Sequence, residues 1–123
     1  MILIGLILIA ISGIAEAIMD TLQFHYDNSI FKRFKNQRFW YPGFSWMNKW
    51  KEGNPNKGER FLGSSTIFVA LTDAWHLFKF IHNQSLFIGL LFIAGISLHY
   101  ILWFAVARIV FGLVFSLVYK YIG

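Results

Sequence analysis

The sequence predicts an all-α fold, a polytopic transmembrane helix bundle with an interfacial aromatic-basic connector. Three observations carry this. Of 123 residues, 57% are hydrophobic and only 14% charged, where soluble domains run nearer a quarter charged. Residues 1–15 carry no charge and residues 86–119 carry one, Arg108; apolar runs of about 18 or more residues are long enough to cross a bilayer. The net charge of +5 is concentrated between Tyr26 and Phe61, where eight cations face three anions. A chain of this length accommodates one membrane domain, 1–123.

The first span is expected over about 2–24. It has no basic leader and no small-x-small cleavage site, so it reads as a retained helix rather than a signal peptide. Its start is aliphatic throughout, and a polar face with Glu16, Asp20 and Gln23 opens only toward its end. The connector, 26–60, interleaves Phe31, Phe34, Phe39, Trp40, Tyr41, Phe44, Trp46 and Trp50 with Lys and Arg. Aromatic rings and snorkelling cations together mark a segment at the headgroup level. Its basic charge places it in the cytoplasm and the N-terminus outside, in a bacterial inner membrane. Anionic lipid accounts for the same charges better than nucleic acid does.

A second span is expected over about 61–81, with Ser64, Ser65 and Thr66 capping its entry. His82-Asn83-Gln84-Ser85 is expected to turn the chain into a third span over about 86–105. From Leu86 to Ile122 no turn signal is read, and one helix of that length would reach about 55 Å. A break near 105–108 is therefore expected, leaving 106–122 as a C-terminal hydrophobic segment and candidate fourth span. Gly5, Gly13, Gly89 and Gly95 are expected to permit close helix approach.

Five ionisable residues inside apolar stretches define the candidate site: Glu16, Asp20, Asp73, His76 and His99. A charge at membrane depth costs a few kcal/mol or more, so such groups face a protein interior and act there. With the spans above, Glu16 lies about 13 Å and Asp20 about 7 Å from the cytoplasmic side. Asp73 and His76 lie about 16 and 21 Å deep, and His99 about 9 Å. All five then share one half of the membrane. Glu16/Asp20 at i,i+4 and Asp73/His76 at i,i+3 each share a helix face.

Carboxylates and imidazoles from facing helices are what a bundle uses to hold a divalent metal ion. Five such ligands point to a small membrane enzyme acting on a lipid or amphipathic substrate, a metal-dependent hydrolase or oxidase. Glu16 or Asp20 would be its general base and His25 a reserve ligand. A b-type haem between His76 and His99 is a weaker alternative, because the acids do not suit it. Lys49, Lys51 and Arg60 would hold an anionic lipid headgroup. A proton- or ion-coupled transporter using Glu16 and Asp20, homo-oligomeric, is the second reading. A non-catalytic subunit of a larger membrane complex is the third. The absence of cysteine removes thiolate ligands and nucleophiles. His82 is expected at an interface and solvated.

The stretch Ala15-Glu16-Ala17-Ile18 resembles the acidic first helix of small multidrug-resistance exporters, but their short loops contrast with the long connector here. The segments Phe39-Trp40, Ser45-Trp46-Met47-Asn48-Lys49, Ser64-Ser65-Thr66 and Thr72-Asp73-Ala74-Trp75-His76 together resemble uncharacterised small multi-spanning membrane proteins of bacteria and their phages. That resemblance implies no activity.

Overall fold

The computed structural model describes residues 1–122, leaving out the side chains of Tyr119 and Ile122. Among the described residues the chain is helical with no strand. Three helices are long and apolar enough to cross a membrane: α1 (Ile2–Phe24), α4 (Ala74–Ala94) and α5 (Leu98–Ile122). Between the first two lie short 3₁₀ turns and two single-turn helices, α2 (Gln37–Trp40) and α3 (Pro42–Ser45). Leu3, Leu62, Leu98 and Leu113 are among many large apolar side chains left exposed. An extended apolar surface of this kind suits lipid or a partner rather than water.

The spans differ from the sequence expectation in three places, each with a local cause. The segment 61–73 is not an α-helix but a run of turns with one 3₁₀ turn, Val69–Leu71. Gly63 takes a left-handed φ of 82°, and the Glu59 carboxylate accepts the backbone N–H groups of Gly63 at 3.0 Å and Ser65 at 3.3 Å. Its oxygen also accepts the Ser65 hydroxyl. The Ser64 hydroxyl donates to the Lys49 carbonyl at 2.7 Å. These bonds tie the segment back to the connector instead of releasing it into a span, and α4 starts only at Ala74.

The expected turn at 82–85 lies inside α4. The Ser85 hydroxyl donates to the Ile81 carbonyl at 2.6 Å, a back-bond that satisfies a polar side chain without leaving the helix. The real turn is Gly95-Ile96-Ser97. Gly95 adopts φ 101°, the conformation that ends helices because only glycine enters it without steric cost. Ser97 then caps α5, its Oγ accepting the Tyr100 N–H at 3.3 Å. From there α5 runs unbroken, without the break expected near 105–108.

The chain divides into two compact units. One joins Met1–Ile9 to the chain from Leu86 onward. Two of its glycines approach closely: a Cβ built on Gly5 would sit 2.7 Å from the Gly89 carbonyl oxygen, and one on Gly89 2.9 Å from that of Gly5. Two backbones meet there with no side chain between them. Gly13 has open space where its Cβ would be. Phe87 meets Phe111 edge-on at 6.1 Å, and the Arg108 guanidinium lies 5.0 Å from the Phe87 ring, a cation–π contact that offsets part of its desolvation.

The other unit is Ala10–Ser85. Leu22, Tyr26, Phe31 and Ala74 form its core, with Trp40, Trp75 and Phe78 packed against them. Phe31 and Trp40 stack at 5.1 Å, and Tyr26 meets Tyr41 at 5.1 Å. Tyr26 and Phe31, with Phe39 and Trp40 against them, thus give the connector the core of a folded headpiece, while Phe34, Tyr41, Phe44 and Trp46 stay exposed as anchor candidates. Asn48 ties its parts together, its Nδ2 donating to the carbonyls of Arg38 at 2.6 Å and Thr72 at 2.9 Å. Higher in the same unit, Ser12 on α1 meets His82 on α4, with 2.8 Å between Oγ and Nδ1.

Candidate functional site

Asp73 is the residue on which the site is built. It is 2% exposed and immediately precedes α4, where an Asp accepts orphan N–H groups of the first turn. Its Oδ1 accepts the His76 N–H at 2.9 Å, and its Oδ2 lies 2.8 Å from His76 Nδ1. One carboxylate therefore caps the helix and orients the imidazole three residues on. With the proton on Nδ1, Nε2 is left as an acceptor; with both nitrogens protonated, the pair is an ion pair.

His76 and Asp73 open onto a cavity of about 240 Å³, walled by Trp46 and Trp75 and edged by Gln23 and Ser45. Apolar walls with a few convergent polar groups are the usual make-up of a small-molecule pocket. Every one of these residues belongs to the unit Ala10–Ser85. Ser45 and Trp46 carry no site signal in the sequence, because they reach the pocket only through the folding of the headpiece. Gln23 was legible as part of the polar face of α1.

Glu16 and Asp20 stand on that same face. Positions 16, 20 and 23 are spaced i, i+4, i+7 and so form one stripe, whose last member edges the pocket. Glu16 and Asp20 themselves are exposed. His25 is exposed just past the end of α1. His99 belongs to the other unit, in the first turn of α5, where its ring meets Tyr100 and Trp103.

Asp73 and His76 are at the start of α4 and His99 at the start of α5, so these three are at helix ends, not deep inside spans. A whole span-length helix, α4, separates His76 from His99 in the chain. Among the described residues, no three His, Asp or Glu side chains come together in a way that could hold a metal ion. The Asp73 carboxylate is already occupied by the helix terminus and the imidazole.

Of the three cations expected to hold a headgroup, Arg60 lines a second cavity within the connector, together with Lys35 and Arg38. Lys49 and Lys51 do not line it; the Lys49 ammonium lies 6.0 Å from the Trp50 ring. Glu59 shapes the same region. Its carboxyl is held below the usual carboxylate range, first by the Ser65 hydroxyl and then by the Gly63 N–H, because hydrogen bonds to the charged form favour it. Comparison with protein-family models, with curated proteins and with solved structures gives no match for this chain.

Proposed function

We propose that this chain is a membrane protein that takes an amphipathic molecule into the pocket beside His76, at the level of the lipid headgroups. The observation that carries the reading is the Asp73–His76 pair set against the two tryptophans of the cavity wall. The tryptophans offer an apolar surface to the molecule's tail or backbone, and His76 offers a proton acceptor to its hydroxyl or to a water. Asp73 holds the imidazole in one orientation and one tautomer, the role a buried carboxylate plays beside a general base. In this reading the headpiece faces the cytoplasm, as its eight cations favour.

Tryptophan quenching by a brominated short-chain lipid, added to the full chain in nanodiscs, tests it. Quenching should saturate and should be lost largely with Trp46→Leu or Trp75→Leu. His76→Asn should weaken binding by up to about tenfold, the upper value of one ordinary hydrogen bond. Quenching that never saturates and ignores all three substitutions would overturn the reading.

A second reading rests on Glu16 and Asp20, exposed on the face of a span. Carboxylates in that position favour burial against another chain, as in a homo-oligomer, an ion-coupled transporter or a larger complex. Cross-linking of the chain in native membranes separates this from a monomer.

A further inference from the structure

We propose that the cavity inside the connector is a binding site for a phosphate group, carried by Lys35, Arg38 and Arg60. The cavity measures about 790 Å³, well above what a bare phosphate needs and within the range of pockets that hold small organic ligands. It shares no lining residue with the His76 pocket, so it stands or falls independently of the reading above.

Three cations and one acid, Glu52, line it. The acid is spoken for, since its carboxylate pairs with Lys57. The cations therefore dominate the field inside. Neither Arg38 nor Arg60 forms an ion pair within the protein among the described residues, which leaves both guanidinium forks available for a tetrahedral oxyanion.

All three side chains are exposed, and the backbone beneath the two arginines is anchored. The Arg38 carbonyl is held by the buried Asn48 side chain at 2.6 Å. The Arg60 N–H donates to the Lys49 carbonyl at 2.9 Å, beside the antiparallel bridge of Trp50 and Glu59. Glu52 adopts a left-handed φ of 54° followed by Gly53 at 72°, a conformation that a non-glycine residue rarely adopts. That turn brings Trp50 and Gly53 to the cavity wall. Met47 and Trp50 line the remaining side and give the ligand an apolar flank. The chemistry that fits is a phosphate ester with an apolar or glycerol-like neighbour, drawn either from an anionic phospholipid or from a soluble phosphorylated compound.

The full chain in nanodiscs tests both sources. Binding of fluorescent phosphatidylglycerol is measured against phosphatidylcholine, with glycerol 3-phosphate as soluble competitor. Phosphatidylglycerol should be preferred, and Arg38→Gln and Arg60→Gln should each weaken it about tenfold. Lys32→Gln and Arg33→Gln, which remove equal charge outside the cavity, should change it less than about twofold. Competition by glycerol 3-phosphate assigns the site to a soluble phosphate; preference for phosphatidylglycerol without competition assigns it to lipid. Equal losses from cavity and control variants would show diffuse attraction and overturn the site, as would saturable binding unchanged by either arginine. Should a glutamine variant misfold, Arg38→Lys keeps the charge and removes the fork. It should still weaken binding several-fold, and unchanged binding would overturn the proposal.

Discussion

Ser12 and His82, seventy positions apart, close a reciprocal clamp between α1 and α4. The Ser12 hydroxyl donates to the His82 carbonyl at 3.0 Å, and His82 Nδ1 lies 2.8 Å from the Ser12 Oγ and 3.0 Å from the Ser12 carbonyl. Both residues lie well inside apolar helices, where an unmet polar group is costly. His82, expected in a solvated turn, is instead a helix-packing residue. Ser12→Ala and His82→Phe should each lower stability by about 1 kcal/mol, and the double variant should lose clearly less than the sum of the two. Thermal unfolding of the four forms in one detergent checks this. Strict additivity would show that the clamp contributes no coupling.

Gly5 and Gly89 allow an equally sharp prediction. A side chain on either collides with the other's carbonyl oxygen, so the helices must separate to admit it. Gly89→Val should destabilise by about 1–3 kcal/mol, as overpacking does. Gly13→Ala, on the same helix as Gly5 but with open space around it, should be neutral or slightly stabilising, because alanine is the better helix former. Comparable losses at 13 and 89 would contradict the close approach.

Acid should loosen the headpiece through Glu59. Its carboxyl is more acidic folded than unfolded, so the folded state binds its proton less readily. The stabilisation is then complete above the ordinary carboxylate range and is lost as pH falls through the lower folded value. The stability gap between the wild type and Glu59→Gln should stay constant from neutral pH to about pH 5 and shrink below it. Chemical denaturation at several pH values, followed by tryptophan fluorescence, reads this gap. A gap that widens in acid would reverse the assignment.

Topology can be checked cleanly because the chain has no cysteine. With α4 as a span, Lys57→Cys in the headpiece and Ile96→Cys in the turn after α4 should lie on opposite sides of the membrane. An impermeant thiol reagent applied to intact cells should label position 96 and spare position 57. The opposite pattern would reverse the orientation, and labelling of both from one side would remove α4 as a span.

Much of the architecture is written in local composition. Uncharged apolar runs at 2–15 and 86–107 have no stable place in water, and three helices long enough to cross a membrane follow. The stripe of Glu16, Asp20 and Gln23 needed only the helix period. Even the turn at Gly95-Ile96-Ser97 had a local signal, a glycine followed by a capping serine, masked by the apolar residues around it. Other features depended on partners distant in the chain. The segment 61–73 has a composition that suits a span, yet Glu59 and the Lys49 carbonyl hold it in turns. Asp73 therefore caps α4, and among the described residues no three His, Asp or Glu side chains form a metal-holding group. His82 reads as a turn residue until Ser12 meets it. Lys35, Arg38 and Arg60 read as three cations among eight until the fold lines one cavity with them, Asn48 holding the backbone at Arg38 and the Trp50–Glu59 bridge lying beside Arg60. Periodicity and hydropathy act over a few residues and are legible in order. Hydrogen-bond partners and cavity walls are chosen across the chain, and only the folded backbone brings them together.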